Sequence, residues 1–179
     1  MKKISFVILM ISSLLNGQTF QLVKDENPSD TGLSMNCSFR EMNGKLYYLF
    51  TGESTLGNIA LYTSDGTATG TYRISPSNVS VSGNIIISGN KIYFFATDGI
   101  NGKEPWVSDG TLAGTQLLKN IHPTTIDNNF DTSSVRFLSA DATKAFFIAN
   151  DGTTGNELWV TDGTAAGTNL VLDIFQGTN

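Results

Sequence analysis

Glu104-Pro-Trp-Val-Ser-Asp-Gly-Thr-Leu-Ala-Gly-Thr115 decides how this chain is built, because it returns as Glu157-Leu-Trp-Val-Thr-Asp-Gly-Thr-Ala-Ala-Gly-Thr168. A worn copy stands earlier, as Ala60-Leu-Tyr-Thr-Ser-Asp-Gly-Thr-Ala-Thr-Gly-Thr71. Self-similarity at a period of 20 to 50 residues is the mark of a repeat architecture, in which each unit buries its apolar face against its neighbours. Asp65 and Asp109 are 44 residues apart and Asp109 and Asp162 are 53 apart, the difference lying in the loop around Thr124 to Asp131. The positions that define the repeat are Tyr62, Asp65 and Gly66 in the first copy, Trp106, Asp109 and Gly110 in the second, and Trp159, Asp162 and Gly163 in the third. Residues that recur in every copy are explained most simply by folding.

Outward from the signature, four strands are predicted per period. One carries the pattern Thr115-Gln-Leu-Leu-Lys-Asn120, repeated in Thr168-Asn-Leu-Val-Leu-Asp173 and matched by Phe20-Gln-Leu-Val-Lys-Asp25. Taking it as the first strand of a period gives three full periods and one spare strand. The second strand is read at Asn36 to Glu41, Asn84 to Ser88 and Val135 to Ser139. The third, at Lys45–Phe50, Lys91–Ala96 and Lys144–Ala149, is apolar on both sides and is expected as an inner strand between neighbouring sheets. The fourth holds Tyr62, Trp106 or Trp159. Asn43-Gly44 suits a type I′ hairpin turn, and the Asp-Gly pairs at Asp98, Asp151 and the three signature aspartates combine a carboxylate that accepts from the backbone with a glycine free to take positive φ. Pro105 lacks an N–H and predicts that its strand is entered or edged there.

The fold expected is therefore all-β: antiparallel four-stranded repeat units stacked as β-propeller-like blades. Propellers close with about 4 to 8 blades. Three periods imply an incomplete or open one, which self-associates or belongs to a longer repeat array. The ending in Gln176-Gly-Thr-Asn179, just after a strand, reads as truncated.

The first residues predict an address. Lys2 and Lys3 precede an apolar run of twelve residues, Ile4 to Leu15, and then Asn16-Gly17-Gln18. This is the pattern of a secretory signal peptide, residues 1–17, too short for a membrane span of about 20 residues. Residues 18–179 are then one repeat domain, secreted to the periplasm, cell surface or exterior, without a transmembrane segment.

Removing Lys2 and Lys3 leaves nine basic residues against 16 acidic ones, a formal charge of about −7. Without a Lys/Arg cluster, such a chain repels phosphate backbones, which speaks against nucleic acid as a partner. Cys37 is the single cysteine, so no intrachain disulfide can form; it is read as a small buried residue.

At the tryptophan segments the sequence resembles the ELWxxDGT repeat family of secreted bacterial proteins. Glu157 to Thr164 matches that signature at every defined position, Glu104 to Thr111 departs at Pro105, and Ala60 to Thr67 keeps the Leu-aromatic part and Ser-Asp-Gly-Thr. The resemblance covers almost all of the chain beyond the leader. It implies an exported, propeller-like protein and supplies no shared catalytic residue to carry onto this numbering.

Each residue that could carry chemistry also has a folding role open to it. Glu104 and Glu157 would make a carboxylate pair for glycoside hydrolysis only if about 5 to 10 Å apart. They occupy equivalent positions in successive repeats, where Ala60 fills the first, so a hydrogen-bonding role at the start of the strand, or a solvated one, is expected instead. Asp98, Asp109, Asp151 and Asp162 lie in Gly-rich loops that could hold structural calcium, but lack the alternating spacing of calcium loops and need no metal to form turns. Tyr62, Trp106 and Trp159 would stack on sugars if exposed, and are expected to pack between blades. His122, the single histidine, precedes a proline in a loop. The reading that follows is a non-catalytic, cofactor-free interaction module with a protein or glycan partner. Against it stands a glycan-active or other hydrolytic enzyme with a site built from Arg73, Arg136 and His122, and a fragment of a larger propeller without activity of its own.

Overall fold

The computed structural model describes residues 38–51, 58–122 and 135–174. The leader, the strand read at Phe20 to Asp25, Cys37 and the loop from Thr124 to Asp131 lie outside the described residues.

The described chain is all-β, in three antiparallel four-stranded sheets, each a meander of consecutive strands. The first sheet contains β1 (Arg40–Met42), β2 (Lys45–Phe50), β3 (Ala60–Ser64) and β4 (Tyr72–Arg73). The second contains β5 (Ser80–Ser88), β6 (Lys91–Thr97), β7 (Glu104–Ser108) and β8 (Gln116–Leu117). The third contains β9 (Arg136–Ala140), β10 (Ala145–Asn150), β11 (Asn156–Thr161) and β12 (Asn169–Leu172).

The sheet boundaries correct the predicted phase. The Leu-Leu-Lys strand does not open a unit. It closes the preceding one, as β4, β8 and β12, each paired with the Tyr or Trp strand before it. The cause is local: the Asp-Gly-Thr-x-x-Gly-Thr turn folds the chain straight back, so pairing across it is the cheapest available, and the crossover falls in the loop that follows. Asn43 and Gly44, at φ 55° and 74°, are both left-handed as a type I′ turn requires.

Strand alternation explains why β6 is apolar on both sides. Ile92, Phe94 and Ala96 join Tyr47, Leu49, Leu61, Ile74 and Trp106 in the core between the first and second sheets. Tyr93 and Phe95 point the other way and join Val107, Leu118, Phe137, Phe147 and Trp159 in the core between the second and third. The second core is largely aromatic, with Phe147 5.0 Å from Phe137 and 5.8 Å from Phe95, and stacked at 6.3 Å on Trp159. A third cluster, Tyr48, Ala60 and Tyr62, buries the opposite face of the first sheet.

Pro105 is the second residue of β7, so the strand is entered there as expected, but β7 is an inner strand and not an edge one. The proline lies opposite Phe95 and is buried. Leu118 N–H donates to its carbonyl at 2.9 Å. In an antiparallel strand a residue's N–H and C=O point to the same side, so the missing donor faces Leu118, just past the end of β8, and the ladder to β6 is untouched. The equivalent Leu61 confirms that no ladder bond is expected there: its N–H goes to the Ser75 hydroxyl at 3.1 Å.

Phe147 is fully buried, whereas Phe146, the next residue back on β10, is half-buried on the opposite face. Phe147→Ala should therefore cost about 3 to 5 kcal/mol and Phe146→Ala about 1 kcal/mol in urea unfolding. Equal losses would mean that the sheet faces are assigned wrongly.

Candidate functional site

The recurrent residues converge on the Asp-Gly-Thr turns, and there they form one hydrogen-bond network three times over. Asp65 Oδ1 accepts from Thr67 N at 2.9 Å and from the Thr67 hydroxyl at 2.7 Å, and that hydroxyl accepts from Gly70 N at 2.9 Å. Asp109 with Thr111 and Gly114, and Asp162 with Thr164 and Gly167, repeat this arrangement to within 0.1 Å. The carboxylate lies so close over Gly70, Gly114 or Gly167 that a Cβ there would collide with it, which is why the second glycine of the signature is glycine.

Beneath the carboxylate runs a buried hydroxyl pair. Ser64 and Thr71 are 2.7 Å apart, Ser108 and Thr115 2.7 Å, and Thr161 and Thr168 2.8 Å. Counting protons gives the direction. Thr71 uses its one hydroxyl proton on Thr67 O at 2.7 Å, so Ser64 must donate to Thr71, while Ser64 accepts from Gly66 N at 3.1 Å. The relay Gly66 N–H to Ser64 to Thr71 to Thr67 O leaves no hydroxyl proton in the turn unpaired.

The turns also touch the neighbouring sheet. A Cβ on Gly110 would come within 2.5 Å of the Tyr47 hydroxyl, and one on Gly163 within 2.5 Å of the Tyr93 hydroxyl and the Lys91 side chain. Lys91 Nζ donates to Asp162 O at 2.9 Å. Burial and the neighbouring Asp162 charge push the Tyr93 hydroxyl up to about 12, so it stays protonated. Lys119 ties the same sheets, donating to Thr168 O at 2.6 Å with its ammonium 5.9 Å from the Trp159 ring centre.

Glu104 and Glu157 are 3 % and 4 % exposed. Glu104 accepts from Ile121 N and His122 N, both at 2.9 Å, and Glu157 from Ile174 N at 3.1 Å. Each holds the chain 17 residues downstream, where it leaves its own sheet, so they are not arranged as a pair across a substrate. Where Ala60 replaces them, Arg73 does the work, donating to the carbonyls of Ser75 (2.8 Å), Pro76 (2.6 Å) and Val79 (3.2 Å). Sequence reasoning missed this exchange; its signal was that Ala60 and Arg73 depart together from the pattern.

Arg73, Arg136 and His122 are placed in three different settings. Arg73 is bound to the connector just described, Arg136 is exposed on β9, and His122 lies beside Gly152 at the tip of the β10–β11 hairpin. Tyr62, Trp106 and Trp159 are at most 6 % exposed and pack within the cores, leaving no ring face for a sugar. Among the described residues no three His, Cys, Asp or Glu side chains come together to hold a metal ion. Asp98 and Asp151 instead close their hairpins, Asp98 accepting from Ile100 N and Asn101 N and Asp151 from Thr153 N and Thr154 N, all at 2.8 Å. Among the described residues no helix is long and apolar enough to cross a membrane.

No protein-family model and no curated protein matches the chain. Among solved structures, it is similar to a chain from a structural and mechanistic study of two prolyl endopeptidases, with 13% sequence identity and a TM-score of 0.52. The match covers 87% of this chain and 21% of that one, so it spans about a fifth of the longer protein and carries the fold alone.

The buried Glu104 sets a pH dependence. Burial drives its carboxyl upward, against the two backbone N–H donors, from the ordinary 4.5 to about 7. Between those values the unfolded chain has released this proton and the folded chain still holds it, so stability falls as pH rises through that window and levels off above it. Asp151 works in the opposite sense. Slight burial raises it, but the Thr153 and Thr154 donors prevail and hold it at about 2, so its contribution is lost as pH falls from about 4 to 2. Thermal unfolding against pH should peak near pH 4.5 to 5 and decline toward neutrality, and Glu104→Gln should flatten the decline alone. An unchanged profile in the variant would contradict the assignment.

Proposed function

We propose that this protein is an exported, non-catalytic β-repeat module of the ELWxxDGT type, its three sheets arranged as propeller-like blades, which presents an interaction surface at the cell envelope or outside the cell. The observation that carries the reading is the use made of each recurrent reactive group. The aspartates close turns, the glutamates anchor the connecting chain and the aromatic residues fill the cores. None is left facing a shared cleft with the proton donor, nucleophile and oxyanion donors that hydrolysis needs. The acidic charge and the leader pattern support an extracytoplasmic setting, with a protein or glycan as the partner.

The test is to express the full chain with its leader, recover it from outside the cytoplasm, and offer it to arrays of proteins and glycans beside a panel of glycoside and peptide substrates. The expected result is a chain beginning at Gln18 that retains one class of ligand saturably and turns over nothing. Turnover above the buffer control, or a chain kept uncut in the cytoplasm, would overturn the reading.

A further inference from the structure

The repeat shows how a sheet is gripped from the side of the unit before it. In the core between the first and second sheets, Ile74 and Val79 come from the chain just past β4; between the second and third, Leu118 and Ile121 come from the chain just past β8. Lys119 adds a polar tie, its ammonium donating to Thr168 O at 2.6 Å and lying 5.9 Å from the centre of the Trp159 ring. A closing strand thus lays a branched side chain and a lysine on the sheet that follows.

The first sheet has the same receiving face. Tyr62 and Thr71 occupy the positions of Trp159 and Thr168, and Tyr62 stacks on Tyr48 at 5.8 Å as Trp159 stacks on Phe147 at 6.3 Å. Tyr48, Ala60 and Tyr62 are 3%, 4% and 1% exposed. Among the described residues, the apolar side chains packed against them are Phe39, Leu46 and Phe50, which belong to that sheet or to the residue leading into it. Neighbours within one sheet stand side by side, so a face this well buried needs a second layer over it.

We propose that the occupant is the segment Phe20-Gln-Leu-Val-Lys-Asp25 of the same chain, lying on this face as the closing strand of a unit lies on the next sheet. It repeats Thr115-Gln-Leu-Leu-Lys-Asn120 with Gln, Leu and Lys unchanged, Val23 standing for Leu118 and Lys24 for Lys119. Ser75 and Leu172 fill the lysine position in the other two closing segments, so the likeness is to the one whose grip on the next sheet is seen. The tether fits as well. Residues 23–39, 17 in all, separate Gln21-Leu22 from β1, against the 18 residues 118–135 between β8 and β9. Val23 then packs on Tyr48 and Tyr62, and Lys24 donates to the Thr71 carbonyl with its ammonium over the Tyr62 ring, where the electron-rich face attracts a cation.

The test places a nitroxide at Gln21→Cys in a Cys37→Ser chain; the matching Gln116 is exposed, so Val23 and Lys24 are left undisturbed. The amide signals of Tyr62 and Thr71 should broaden, and those of Trp159 and Thr168, two sheets away, should stay sharp. Without a nitroxide, Lys24→Met should shift the Tyr62 ring protons and spare Trp159, whereas Lys119→Met should shift Trp159 and spare Tyr62. Sharp Tyr62 and Thr71 signals in the nitroxide-bearing chain would overturn the proposal. Broadening that survives when the nitroxide and the observed nuclei are on different chains would overturn it too, giving the face to a second copy. A Tyr62 ring indifferent to Lys24→Met would contradict the lysine contact.

Discussion

The buried hydroxyl relay beneath each Asp-Gly-Thr turn is the constraint on which the rest of the structure depends. Ser64, Ser108 and Thr161 each receive one backbone N–H and pass a proton to a threonine seven residues on, which passes its own to a carbonyl. Buried hydroxyls are costly when unpaired and modestly favourable when paired, so the relay works as a unit. It fixes where the Tyr or Trp strand stops and the closing strand begins. It also delivers a glycine to the underside of the preceding sheet's tyrosine hydroxyl, at Tyr47 and again at Tyr93. One turn therefore sets both a hairpin and a spacing between sheets.

Stacking follows from the strand period. Because alternate residues of β6 face opposite ways, a strand with five apolar residues in a row can belong to two cores at once. The cores are made largely of aromatic and branched residues; the hydroxyls beneath the turns are paired within the repeat, whereas Thr63 Oγ1 and Trp159 Nε1 are buried without a hydrogen-bond partner among the described residues. Glu104 and Glu157 are both buried and Glu104 is strongly shifted, and each accepts from backbone N–H groups of the chain just beyond its own sheet.

Much of this was legible in the sequence. The Asp-Gly-Thr copies predicted the turns and the number of units, the double-sided apolar strands predicted stacking, and the loss of glutamate at Ala60 pointed to a local role for Glu104 and Glu157 at the start of their strands. The phase of the unit was not legible, because a repeated pattern has no intrinsic starting point and only pairing across the turn selects one. At Pro105 the entry of the strand was legible, but not that the strand is an inner one. The proline's missing donor counts against an inner strand only when that N–H faces a neighbouring strand, and the sequence does not say which way it faces. The substitution of Arg73 for a glutamate 13 positions earlier in the chain was hidden by distance in sequence, since the two devices hold the connector from opposite directions. The partial exposure of Phe146 was likewise invisible to pattern alone: Phe146 and Tyr93 read alike, and only their burial separates them.

The most direct test of the dual role of the turn is amide hydrogen exchange on Gly163→Ala. Gly163 has φ 86°, and a methyl group there would meet Tyr93 and Lys91 of the neighbouring sheet at 2.5 Å. The account predicts that protection falls in the third turn and also along β6, across the interface. Loss confined to residues 162–168, with β6 as protected as in the unaltered chain, would contradict it.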